Sequence, residues 1–377
     1  MKELINQLTD FQLTLLVVLG VCVFIQLLYI FMAYFRLVFY KPKNVSESNP
    51  PVSVVICARN ESTNLMNHIP IIMEQDYPQF EVVVVNDISW DDSEDILKAL
   101  SVRYQNLKVL KIDEDKHRMT GKKFALTMGI KAASHDQLVL TDADCKPLNK
   151  QWLSLMMSER TEEKNVVLGV SLLARQKGFW KNMFRFESVH TAVNYCSFAL
   201  ARNPYMGVGR NLSYTKELFF SVGGFRSHMH IQGGDDDLFI NEISTKTKIA
   251  VMPLLAAQTE SESPKKFKNW WLQKRRHLST SSGYKFKHKF LLGLEPLSWW
   301  IMWTSAVILF IVTTNPLLVI TPLALRYALV YGTFIAIGKK WNAIDAVWTF
   351  PFWEACLNIL KPTVLLSNVF SKPKRWM

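Results

Sequence analysis

Paired cysteines, a phosphate-cradling glycine loop and an excess of acid are all missing from this chain of 377 residues. Its five cysteines, Cys22, Cys57, Cys145, Cys196 and Cys356, form no CxxC pair and stand at no zinc-site spacing from a histidine. That argues against a disulfide framework and fits a reducing compartment. No GxxxxGK[ST] loop occurs, and no GxGxxG follows a strand-like run, so P-loop and dinucleotide-binding readings fail. Histidines such as His68 and His190 show no ligand spacing. No internal repeat or low-complexity tract is visible. Acids are also outnumbered: 44 Lys and Arg against 32 Asp and Glu leave a net charge of +12. A balance this basic points to an anionic partner, whether phosphorylated ligand, anionic lipid or nucleic acid.

Charge itself is absent from residues 11–35, "FQLTLLVVLGVCVFIQLLYIFMAYF". At about 1.5 Å per residue that run is long enough to cross roughly 30 Å of hydrocarbon. It is too long for a signal peptide, and no small-x-small cleavage site follows. Arg36, Lys41 and Lys43 come next and predict a cytoplasmic flank, with the N-terminus outside. Residues 297–313 and 316–338 predict two further spans joined by a short uncharged link, the second interrupted by Arg326. That arginine either snorkels or lines a polar cavity. Residues 343–371 are apolar but broken by Asp345, Glu354, Lys361 and prolines, which predicts an interfacial or re-entrant segment. The expected order is an anchor over 1–40, a catalytic domain over 50–260, an amphipathic interfacial stretch over 261–290, and a membrane hairpin with its tail over 295–377.

Between the spans the hydrophobic period alternates. Short β-branched runs at 52–58, 80–87, 107–113, 136–142 and 165–174 read as buried strands. Helix-like stretches at 62–75, 91–103, 120–133 and 149–162 separate them, which predicts βαβ units and a mostly parallel α/β sheet. Ligands of such sheets bind at the C-terminal strand ends. There the chain places Ala58, Arg59 and Glu61, then Asn86 and Asp87, then Asp142 and Asp144. Two carboxylates at i, i+2 after a strand are often only turn formers. With polar groups at the other strand ends, they also suit a hard divalent cation completed by phosphate oxygens. A third acidic group, Asp235–Asp236–Asp237, follows Gly233 and Gly234. It either opens a helix, where negative charge is favourable, or holds one carboxyl of raised basicity.

Several motifs occur in an order that resembles the membrane-anchored family 2 glycosyltransferases of GT-A fold. "VSVVICARNE" is similar to their opening strand and nucleotide-contacting turn, "VVVVNDISWDDSED" to their second acidic motif, and "TGKKFALTMGI" to the helix start beside the diphosphate. "TDADC" resembles the DxD metal motif, "GVGRNLSYTKELFFSVGGF" the acceptor-side segment, "GGDDDLFI" the segment carrying the base, and "QKRRH" the QxxRW motif, with His277 in place of Trp. The resemblance covers roughly residues 50–285. It implies a GT-A domain with N- and C-terminal membrane helices and inverting transfer of one sugar from a nucleotide-diphosphate sugar, a UDP-sugar first, to a membrane lipid hydroxyl. It also implies Mg²⁺ or Mn²⁺ at Asp144 with Asp142, and substrate contacts from Ala58, Arg59, Glu61, Asp87, Lys122, Asp142, Asn211 and His277. Asp236 would be the base, Asp235 its fallback, and Gln273 and Arg276 would close on the diphosphate. A bacterial inner membrane with a cytoplasmic catalytic domain is the expected setting.

Residues 265–289 carry nine Lys or Arg and no acid, interleaved with Phe267, Trp270, Trp271 and Tyr284, a pattern that fits anionic lipid. A polysaccharide synthase needs more spans to enclose a pore. A non-catalytic nucleotide-sugar-binding scaffold is the competing class. A nucleic-acid module is disfavoured, because the basic residues cluster beside the membrane and no recognition motif appears.

Overall fold

Buried runs of Val, Ile and Leu build the frame. A computed structural model describes residues 8–42, 49–113, 121–161, 163–231 and 233–371. Strands β1 (Val52–Ala58), β2 (Phe80–Asp87), β3 (Leu107–Ile112) and β4 (Gln137–Asp142) alternate with helices α2 (Ser62–Met73), α3 (Ser93–Arg103) and α4 (Lys122–Ala132). They pair in parallel in the order β3-β2-β1-β4. Central β1 and β2 are buried on both faces, as parallel strands covered by helices must be. Gly129 lets α4 lie close on this sheet. A Cβ there would stand 2.7 Å from Val55 and 2.8 Å from Val85.

The second half of the sheet departs from the expected parallel plan. Strand β8 (Leu212–Thr215) inserts antiparallel between β4 and β6 (Val166–Gly169), and β9 (Ile249–Met252) closes the edge parallel to β6. Its reversed direction brings the start of β8, and Arg210 and Asn211 before it, to the edge where β1, β2 and β4 end. The single run expected over 165–174 is split. After β6, Val170 turns the chain into β7 (Ser171–Leu173), which joins β5 (Cys145–Pro147) and β10 (Thr259–Ser261) in a second, three-stranded sheet. Helices α5 (Trp152–Ser158), α6 (Phe179–Leu200), α7 (Lys216–Ser221) and α8 (Asp237–Ile243) complete this domain.

Among the described residues, three helices are long and apolar enough to cross a membrane: α1 (Asp10–Val38), α10 (Phe286–Val312) and α11 (Leu317–Lys340). They expose large apolar side chains, among them Phe24, Met32, Phe310, Ile311 and Leu317, as a lipid-facing surface requires. Their ends are tied. Gln12 donates to the Val312 carbonyl at 2.6 Å, and Lys340 donates to that of Val38 at the opposite end. Arg326 neither snorkels nor lines a cavity. It is 1% exposed and forks onto Glu354, with one bond of 2.8 Å, while reaching Gln26 at 2.9 Å. Taking both charges into a low dielectric together is what makes their burial tolerable.

Helix α10 starts eleven residues before the expected span, so the basic stretch over 261–290 breaks near Ser281–Lys285 rather than running on as one amphipathic segment. Its first part is α9 (Phe267–Thr280). Within 343–371, the short α12 (Ile344–Val347) precedes α13 (Phe350–Phe370), which at 21 residues is long enough for a span but not apolar enough to count as one, and which packs on α9. Arg275 of α9 donates to Asn368 at 2.9 Å, and Asn368 returns a bond of 2.8 Å to the Arg275 carbonyl.

Candidate active site

A crevice opens where β1, β2 and β4 end and β8 begins. The Cys57 thiol marks its floor: Lys122, Asp142, Asp235 and Asp87 all act on it electrostatically. Lys122 opens α4 beside Gly121, whose φ of +105° is a backbone geometry that favours glycine. Its ammonium bridges two distant segments, 2.9 Å from Asp142 and 3.0 Å from Asp235. Burial opposes the charge on Lys122, yet Asp142, Asp235 and Asp236 together hold its pKa well above the ordinary value.

Asp144 lies half-buried beside this pair. Burial, and then the Asp142 carboxylate, push its pKa up, while Arg210 and Lys122 pull it down. Such a carboxylate gains from a further cation. Among the described residues no group of three or more His, Cys, Asp or Glu could hold a metal alone. Asp144, with Asp142 as a neighbour, therefore fits a cation that takes few protein ligands and fills its shell with phosphate oxygens. Glu61, which accepts from Asn64 at 2.6 Å, also feels Asp144 and Asp142.

The acidic triplet is divided into three environments. Asp235 is 8% exposed. Burial raises its pKa, but the Lys122 contact outweighs that and leaves it lowered. Asp237 accepts from the Leu238 amide at 2.7 Å, from the Tyr284 hydroxyl at 2.8 Å and from the Thr280 hydroxyl, so it is clamped to the end of α9. Asp236 accepts backbone amides, from Gly209 at 2.8 Å and Asp237 at 2.7 Å. Burial first, then Asp235 and Asp237, push its pKa up to about 7. It is the member able to exchange a proton near neutral pH.

At the end of β2, Asp87 is 2% exposed and its Oδ1 has no hydrogen-bond partner. A buried lone acceptor of this kind suits a ligand donor. Arg59 sits over the Trp90 ring, 5.5 Å from the centroid, and its charge acts on Asp87. Ala58, 1% exposed, contributes backbone at the strand end. Across the crevice, α9 carries Arg276 within electrostatic reach of Asp235, and Gln273 half-buried one turn earlier. His277 is exposed on the following turn of α9.

Asn211 is the exception. It is fully buried, with Oδ1 accepting from the Trp152 indole at 3.0 Å and Nδ2 donating to Val170 and Ala257 carbonyls at 2.8 Å each. Its bonding capacity is spent on joining the two sheets, so the expected substrate contact is corrected to a structural role. The residue before it is the cation that sequence reasoning missed. Arg210 donates to Ser261 at 3.0 Å and acts on Asp144 and Asp142. Its signal lay in the strand order, since only an antiparallel β8 brings it to this edge.

Residues 53–227 match the family model for Glycosyl transferase family 2. The chain is similar to a curated Haloferax volcanii protein, Glycosyltransferase AglE, at 32% identity over 195 residues, covering 49% of this chain and 59% of that one. It is also similar to the Staphylococcus aureus 4,4'-diaponeurosporenoate glycosyltransferase, at 22% identity over 64% of each chain. These alignments span less than two thirds of either relative's length. Among solved structures, a mannosyltransferase from Pyrobaculum calidifontis, in complex with GDP-Man and Mn²⁺, superimposes with a TM-score of 0.57 at 19% identity, covering 90% of this chain and 99% of that one. This likeness concerns the fold and reaches beyond the residues of the family-model match.

Proposed function

Given that this chain carries a family 2 glycosyltransferase domain, we propose that it transfers one sugar, with inversion, from a nucleoside-diphosphate sugar to a hydroxyl of a membrane lipid. The observation that carries this reading is the separation of three carboxylates in one crevice. Asp144 serves the leaving diphosphate, Asp87 the nucleobase, and Asp236, with its pKa pushed up to about 7, the incoming hydroxyl.

The acceptor oxygen attacks the anomeric carbon on the face opposite the diphosphate. Asp236 takes the hydroxyl proton as the new C–O bond forms. The bond from the anomeric carbon to the diphosphate oxygen breaks, and its electron pair leaves with the diphosphate. Arg210 and Arg276 face that charge from two sides, and Lys122 pairs with Asp142 and Asp235 beside it. Asp144, with Asp142, would hold a divalent cation such as Mg²⁺ or Mn²⁺, which supplies electrostatic stabilisation of the departing diphosphate. Gln273 and His277 line the side from which the acceptor arrives.

The lipid acceptor is supported by the three candidate spans and by α9, whose basic residues lie beside the exposed Leu272 and the half-buried Phe267 and Trp271. The spans pack on one another through Arg326, Glu354 and Gln26 rather than around a channel, which favours a single addition over processive synthesis. The test is incubation of the full chain with UDP- and GDP-sugars and membrane lipid, with mass spectrometry of the products. New glycolipid of inverted configuration supports the proposal. Donor binding without transfer to any lipid would support a scaffold instead.

A further inference from the structure

Both carboxylates that follow β4 have one oxygen engaged by a neighbouring side chain. The Lys122 ammonium lies 2.9 Å from Oδ1 of Asp142. The Cys145 thiol donates to Oδ1 of Asp144 at 3.3 Å. Each contact falls on Oδ1, which leaves Oδ2 of each residue for a cation. The transfer step makes no use of the thiol.

The turn between the two carboxylates is fixed as well. His68, half-buried on α2, reaches the Ala143 carbonyl through Nδ1 at 3.0 Å. A carbonyl only accepts, so Nδ1 carries the proton and the imidazole is the donor. Cys145 is fully buried at the start of β5, where its backbone pairs with Ser261 of β10. Ser261 in turn accepts from Arg210 at 3.0 Å. The small sheet thus holds the Cys145 backbone, and close packing holds its side chain. A thiol is a weak donor, but an ionised acceptor and a buried setting strengthen the bond.

We propose that His68 and Cys145 are positioning residues of the cation site. His68 sets the turn, and Cys145 restricts Asp144 to one ligating oxygen, which selects Mg²⁺ or Mn²⁺ over Ca²⁺. A carboxylate that binds through both oxygens fills two adjacent positions at a narrow angle. The loose shell of roughly six to eight oxygens around Ca²⁺ takes that readily, whereas the stricter octahedron of a smaller cation does not. With Oδ1 occupied, Asp144 offers the single oxygen that an octahedron takes, and phosphate oxygens and water complete the shell. Both residues stand one step behind the ligands, as partners that orient them. That position agrees with the lack of ligand spacing around either one in the sequence. The assignment rests on the cation reading of the crevice.

The test titrates Mn²⁺ and Ca²⁺ separately into the full chain with saturating UDP or GDP. Calorimetry gives the affinities, and electron paramagnetic resonance follows the bound Mn²⁺. The variants are Cys145→Ala, Cys145→Ser and His68→Ala. Wild type is expected to bind Mn²⁺ about tenfold or more tightly than Ca²⁺. Cys145→Ala is expected to cut that ratio about tenfold, whereas Cys145→Ser, which keeps a donor, holds it within about twofold of wild type. His68→Ala is expected to weaken both cations about tenfold and leave their ratio unchanged. Equal binding of both cations by wild type overturns the assignment. So does a Cys145→Ala variant that keeps the ratio, a Cys145→Ser variant that loses it, or a His68→Ala variant with wild-type affinities. If one variant fails to fold, the wild-type ratio and the other variants still decide. Nucleotide binding by wild type that neither cation alters contradicts the cation reading itself, which separates the two failures.

Discussion

Replacing Asp236 by Asn should remove activity and add stability, in a pH-dependent way. The Asp236 carboxyl is pushed up to about 7 in the folded protein, by burial first and by Asp235 and Asp237 next, against an ordinary value of 3.8. The folded state therefore binds a proton more tightly than the unfolded chain. The stability linked to this group is fully present below pH 3.8 and is lost as pH rises through about 7. Three units would correspond to about 4 kcal/mol in full. Partial solvent access and coupling to Lys122 reduce this to roughly 1–2 kcal/mol. Asparagine mimics the neutral form and keeps an acceptor for the Gly209 amide, so the stability gain of Asp236→Asn over wild type should vanish only below pH 3.8 and be roughly a third of its full size near pH 5. Near pH 8.5 it should melt several degrees higher for a domain of this size. In wild type, transfer should fall about tenfold per pH unit below pH 7, because the protonated carboxyl cannot accept a proton, and the variant should lose about 10²–10⁴-fold at pH 8. Thermal unfolding and initial rates across pH 5–9 measure both. A variant equally destabilised at both pH values, with a wild-type pH–rate profile that is flat through 7, would refute the reasoning.

Other outcomes follow from single contacts. Asp144→Asn should lower kcat by about 10²–10³-fold, with little change in melting temperature, and remove the response of the rate to added Mn²⁺. Arg210→Met should weaken binding of a nucleoside diphosphate, read by calorimetry, because it deletes a cation that acts on Asp144 and Asp142. Gly169→Ala should destabilise by about 2–3 kcal/mol, because its Cβ would lie 2.3 Å from the Asn211 side chain. In the membrane bundle, Arg326→Leu or Glu354→Leu alone should each destabilise by roughly 3–5 kcal/mol, and the double variant by less than either, since the single changes strand a buried charge.

The parallel half of the sheet was legible because its strands are β-branched runs that end abruptly in polar residues. That pattern alone put Arg59, Asp87, Asp142 and Asp144 at one edge. The antiparallel half was not. Strand β8 is four residues long, and its place between β4 and β6 depends on Leu212 aligning with Leu140 and Leu168, a long-range register that no local period encodes. Arg210 was overlooked and Asn211 over-read for the same reason, since their neighbours lie in distant segments. The acidic triplet told of unequal carboxyls, but not which one is clamped, because Tyr284 and Thr280 reach Asp237 from more than forty residues away. Arg326 looked isolated in sequence, since its partners Glu354 and Gln26 come from two other helices.

Calorimetric binding of UDP and GDP to wild type and to Asp144→Asn, with and without Mn²⁺, tests most directly whether one crevice holds nucleotide and cation together. The account predicts that Mn²⁺ tightens binding of one nucleotide at least tenfold in wild type and has no such effect in the variant. Equal affinity with and without the cation, or an Asp144→Asn variant that keeps the full Mn²⁺ response, would contradict it.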